Sequence, residues 1–131
     1  MNNPKIEVSW GELFDKITIL EIKSERIKSA KALSYINKEL KLLNKYIENH
    51  KLLELTQELI ELNLSLKRTN NCLWDIEDSI RKKEKEKKFD KDFISLARSV
   101  YIENDKRSQI KRKINLLLKS ELMEEKSYEN F

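Results

Sequence analysis

The chain has 131 residues, 27 basic and 23 acidic, with 39% hydrophobic and 8% aromatic side chains. One glycine, one proline, one cysteine and one histidine exclude a glycine-rich phosphate loop, a disulfide framework, a Cys/His zinc site and a turn-punctuated sheet. What remains is an all-α protein of one-domain size over 1–131, and the lone Cys72 fits a reducing, cytoplasmic compartment.

Residues 1–8 read as a lead segment without the apolar run of a secretory signal. No stretch approaches the roughly 18 apolar residues of a membrane span. Ser9 followed by Glu12 is a capping box, so the first helix starts at about Trp10. Its inward stripe is Leu13, Ile17, Leu20, Ser24 and Ile27, widened by Phe14 and Ile19. A second stripe follows: Leu33, Ile36, Leu40, Leu43 and Ile47. It is out of phase with the first, since Ile27 and Leu33 are six residues apart rather than seven. A kink or a break near residue 30 accounts for this, with no glycine or proline to mark it.

Asn49-His50-Lys51 reads as a turn, with Asn49 taking the left-handed position and His50 on the surface. The next helix is expected from about Leu52 to Lys87. Its heptad seam is Leu52, Leu55, Leu59, Leu62, Leu66, Thr69, Leu73, Ile76 and Ile80, and its length would be roughly 50 Å. Asp90 is the N-cap of the last helix, whose apolar face is read as Phe93, Ile94, Ala97, Val100, Tyr101, Ile110, Ile114, Leu117 and Leu118. Residues 121–131 form a tail that Leu122, Met123, Tyr128 and Phe131 would dock. The predicted architecture is an elongated antiparallel bundle or coiled coil of three long helices, four if the first is broken near residue 30.

The whole net charge of +4 is local. Arg81 to Lys91 holds seven basic and three acidic residues. Glu84, Glu86 and Asp90 interrupt that run, as on a solvated helix end rather than a nucleic-acid face.

The apolar stripes break at Thr69-Asn70-Asn71 and again from Glu103 to Gln109. A hairpin turning near Lys88 brings the two breaks to the same height. Thr69 and Asn70 then lie beside Asn104, Arg107 and Ser108, while Trp74, Glu77 and Asp78 lie near Arg98 and Tyr101. Such a layer reads either as a self-paired register device or as a pocket in which Arg98 and Arg107 take a small anion. On the first helix, Glu12, Asp15, Glu21 and Glu25 share helical faces at a spacing that can hold Mg2+ or Mn2+, but Lys16 and Arg26 lie one turn away and read as their surface partners, the favoured reading. The E-x-x-E before E-x-x-D order of the all-helical nucleotide pyrophosphohydrolases is missing. No catalytic constellation, cofactor motif or metal-ligand set emerges, and Cys72 reads as a buried or half-buried thiol.

Three stretches together carry a resemblance: Val-Ser-Trp-Gly-Glu-Leu-Phe-Asp-Lys-Ile from Val8, Leu-Trp-Asp-Ile-Glu-Asp from Leu73, and Phe-Ile-Ser-Leu-Ala-Arg-Ser-Val-Tyr from Phe93 running on to Asn104-Asp105. With them the chain resembles an uncharacterised family of short helical proteins from bacteria and their phages. That resemblance implies an accessory role near cell-envelope sugar metabolism and carries over no catalytic residue. It selects Glu12, Asp15, Trp74, Glu77, Asp78, Arg98, Tyr101, Asn104 and Asp105 as ligand or partner candidates, with Arg107 added by the polar layer. The expected function is a non-enzymatic interaction or adaptor module that pairs with itself as a homodimer and with a further protein. A ligand-binding protein or enzyme using the polar layer is the alternative, and nucleic-acid association through the basic helix ends is the second.

Overall fold

A computed structural model describes residues 1–52 and 56–129. They contain four helices and no strand: α1 (Trp10–Arg26), α2 (Ala30–Asn49), α3 (Gln57–Lys85) and α4 (Lys91–Leu117). The chain is an all-α bundle. Each helix begins on a side-chain cap that takes up one of its unpaired N–H groups. Ser9, Ser29, Thr56 and Asp90 accept from the backbone N–H of Glu12, Ala32, Leu59 and Phe93, respectively.

The out-of-phase stripes resolve as a break, giving four helices. Ile27 turns to extended backbone after α1 and Ser29 caps α2. The third helix starts at Gln57, not Leu52. Thr56 caps it there, and Leu52 is buried ahead of it; Leu55 lies outside the described residues. Asn49 stays helical, and the left-handed residue at that corner is Lys51 (φ 50°). Lys87 and Lys119 take the same conformation after α3 and α4. Each lets the next N–H reach back five residues: Lys88 to the Lys83 carbonyl at 3.0 Å and Ser120 to that of Asn115 at 2.8 Å.

The helices run up, down, up and down, with α1 at the centre packing against all three others and α3 against α4. Surrounded in this way, α1 buries two stripes. Leu13, Ile17 and Leu20 form the first, and Gly11, Asp15, Thr18 and Ile22 form the second. The core gathers at one end, where Leu13, Phe14 and Ile17 meet Ile47, Leu52, Leu59, Leu66 and Ile114.

The α3–α4 hairpin outruns the other two helices. Arg26, the last residue of α1, pairs with Asp75, and α3 continues for ten more residues, about 15 Å. In this arm no residue from 77 to 105 is buried. The tail folds back along α4 largely through charge: Glu124 pairs with Lys111 and Glu125 with Arg112, and of the expected docking residues Met123 is half-buried. Leu122 and Tyr128 stay exposed, and Phe131 lies outside the described residues.

Candidate functional site

The second stripe of α1 turns polar groups towards α3 and α4. Gly11 comes first. A methyl group there would run into the Lys111 carbonyl and the Asn115 amide oxygen, so glycine lets α1 lie directly on the α4 backbone. The Gly11 N–H donates to Asn115 Oδ1 at 2.6 Å, and the Trp10 N–H to Ser120 Oγ at 3.4 Å. The first turn of α1 is thereby satisfied from α4 as well as by its own cap.

One turn on, Asp15 is 1% exposed. Arg107 on α4 donates to both its oxygens, from Nε at 2.9 Å and from Nη2 at 2.6 Å. Asn70 on α3 adds a donor at 2.9 Å and shares its amide with Thr18 Oγ1, also at 2.9 Å. Thr18 donates to the Asp15 carbonyl. A bidentate arginine and an amide replace the hydration that a buried carboxylate gives up. The bond to Asp15 is the main effect raising the Arg107 pKa above its already high ordinary value.

Lys111, one turn further along α4, is 6% exposed. Burial works against its charge and is the largest single effect. Glu12 at 2.7 Å, Glu124 at 3.2 Å and Asp15 at 3.9 Å together outweigh it and hold the ammonium above its usual range. Three helices and the tail are thus joined by one charge network.

Beside this network, between α1, α3 and α4, opens a cleft of about 350 Å³. Ile19, Ile22, Leu73 and Trp74 supply its apolar walls. Asn70, Asn104 and Arg107 reach it from the network, and Glu77 and Asp78 stand on α3 one turn beyond Trp74. The Arg26 guanidinium lies 5.7 Å from the Trp74 ring centre, bonded to Asp75 and Asn71.

The hairpin does bring Asn70 to Asn104 and Arg107, but Trp74, expected near Arg98 and Tyr101, shares the cleft with Asn104 and Arg107 instead. The rest of the expected layer separates. At 100° per residue, Arg98, Tyr101 and Asp105 fall on the side of α4 away from Arg107, and Tyr101 is 44% exposed. That side also carries Lys91, Ile94 and Ile102, so the apolar residues of α4 form two faces rather than one. Phe93, Leu96 and Val100 are the half-buried inner face, and Ile94 and Ile102 are exposed. Neither Glu77 nor Asp78 has an ion-pair partner among the described residues.

The expected surface partners of the α1 carboxylates also differ. Lys16 pairs with Glu39 and Arg26 with Asp75, while Glu12 and Asp15 are held by α4, and Glu21 and Glu25 by Lys67 on α3. Cys72 is exposed rather than buried, and partial burial together with the nearby Glu103 pushes its thiol pKa up. Thr18, Lys111, Asn115 and Glu124 belong to the network but stand out in the sequence only as polar residues amid apolar spacing. Gly11 carries a clearer signal, as the one glycine of the chain placed inside a helix.

At the tip of the arm a second groove, about 580 Å³, is lined by Lys82, Lys83, Lys88, Glu86 and Asp92 among others. Its lysines are largely committed: Lys83 to Asp90 and Asp92, Lys88 to Glu86, and the adjacent Lys87 to Glu84. Among the described residues no helix is long and apolar enough to cross a membrane, and no His, Cys, Asp and Glu cluster suits a metal ion.

No curated protein and no solved structure matches the chain. One family model does, a family of unknown function, over residues 4–131.

Proposed function

The chain belongs to that family of unknown function, DUF6165, and we propose from its site that it is a non-enzymatic helical interaction module that pairs with a second copy of itself through the α3–α4 arm. The ionisable groups of the network are spent on one another. Asp15 and Arg107 clamp α1 to α4, and Lys111 ties in the tail. This is the use of a buried polar layer that holds helices in register.

One observation carries the proposal. The outer face of α4 gathers Lys91, Ile94, Arg98, Ile102 and Asp105 within about 100° of arc, on an arm with no buried residue, and Ile94 is 56% exposed. A twofold axis beside Arg98 would set Ile94 against Ile102 of the second copy and Lys91 against its Asp105. The same axis would bring Arg98 close to its own twin. The lone Cys72 adds a cytoplasmic setting to the proposal, and the resemblance adds an accessory place near cell-envelope sugar metabolism.

Sedimentation velocity tests it. The expected result is a dimer that Ile94→Glu converts to monomer with unchanged helicity and melting temperature. Arg98→Ala should tighten the dimer by removing like charge at the axis. A wild-type chain that stays monomeric to about 100 μM, or a dimer indifferent to both substitutions, rejects the reading.

A further inference from the structure

α2 forms an edge of the bundle, packed along α1, and it carries apolar residues on two sides. Ile36, Leu40, Leu43 and Ile47 make its inner stripe. About 120° round the helix, Tyr35, Leu42 and Tyr46 fall within about 40° of arc and form a second stripe roughly 16 Å long. Tyr35 is 67% exposed, and Leu42 and Tyr46 are 49% exposed each, so the fold leaves this stripe open to solvent. A row of cations runs beside it. Lys31, Lys38 and Lys45 recur every seven residues, about 60° from the stripe on the side away from the core. All three are exposed, and none has an ion-pair partner among the described residues. On the arm, by contrast, Lys83, Lys87 and Lys88 are held by neighbouring carboxylates. Of the two acids of α2, Glu39 is neutralised by Lys16 at 3.0 Å, and Glu48 lies about 140° from the stripe.

We propose that this face of α2 is a peripheral docking surface for an anionic lipid bilayer. Leu42 enters the boundary of the acyl chains, and Tyr35 and Tyr46 sit at headgroup level with their rings inward and their hydroxyls in water. The lysine row meets the acidic headgroups, its stems lying along apolar surface and its ammonium groups staying wet. A second copy of the chain suits the face less well. An antiparallel copy would set lysine row against lysine row, and a parallel one would set it against Glu39, which Lys16 already neutralises. The face shares no residue with the α4 surface assigned to self-pairing, so the two readings stand or fall separately.

Co-sedimentation of the full chain with lipid vesicles tests it. The expected result is binding to phosphatidylcholine vesicles holding about 30% phosphatidylserine, at about 1 mM lipid, with little binding to phosphatidylcholine alone. Binding should fall as salt is raised. Leu42→Glu should weaken it at least about tenfold, with circular dichroism and melting temperature unchanged. Lys31→Gln, Lys38→Gln and Lys45→Gln should each weaken it about fivefold. Lys82→Gln with Lys85→Gln, on the arm, should leave it within about twofold of wild type. No binding to the anionic vesicles, equal binding to both kinds, binding indifferent to Leu42→Glu, or binding carried by Lys82 and Lys85 overturns the proposal. So does a dimer, in sedimentation velocity, that Leu42→Glu rather than Ile94→Glu abolishes, since a second copy would then cover the stripe.

Discussion

Arg107 grips both carboxylate oxygens of Asp15, at 2.9 and 2.6 Å, across 92 residues of sequence. The contact joins the first helix to the last and seats the charge of Asp15 where water does not reach. Removing one partner strands the other. Arg107→Met is expected to lower the unfolding free energy by about 3 kcal/mol, the modest end of the range because Arg107 keeps part of its surface in water. Asp15→Leu combined with Arg107→Met should recover most of that loss. Urea denaturation of the two single variants and the double variant reads the coupling directly, and additive losses would contradict it.

Gly11→Ala has an unusual sign. In an exposed helix this change stabilises by about 0.5–1 kcal/mol. Here the added carbon meets the Lys111 carbonyl and Asn115 Oδ1, a backbone group and a buried amide that cannot easily give way. A loss of about 1–3 kcal/mol is expected from the forced separation of α1 and α4. A thermal melt at or above wild type would show that the two helices are not in this contact.

Lys111 sets an alkaline limit. Its folded pKa lies above the ordinary 10.5, so its stabilisation is complete below that value and is lost as pH climbs through the folded pKa. Urea midpoints should hold between about pH 8 and 10 and fall above that window. Lys111→Met should be less stable at neutral pH and show a shallower alkaline fall. An equally steep fall in the variant would place the titrating group elsewhere.

Glu124 should matter mainly through Lys111, with a smaller long-range effect on Arg107. Glu124→Gln is expected to cost about 1 kcal/mol, because a buried ammonium loses one of its carboxylates. In the Lys111→Met background the same change should be close to neutral. A full-sized effect there would mean that the tail is held by something other than this ion pair.

Much of the bundle is legible before folding because its rules are local. Three- and four-residue apolar spacing marks each helix, and Ser9 and Asp90 sit at their caps. Symmetric counting about Lys88 places Asn70 level with Asn104 and Arg107, since two antiparallel helices rise at the same rate per residue. The break before Ser29 is visible as a phase slip, though not whether it bends or breaks the helix.

The partner of each charged residue is a different matter. Asp15 has Lys16 beside it, yet its partner is Arg107, because the identity of a pair depends on how far each helix is rotated about its own axis. Arg98 and Arg107 share a helix and differ by 180° of arc. Only packing of α1 into the α3–α4 groove, which Gly11 permits, decides that Arg107 turns inward while Arg98 faces out. Sequence periodicity therefore determined the helices and their relative heights, and tertiary structure alone decided their rotation and so which charges meet.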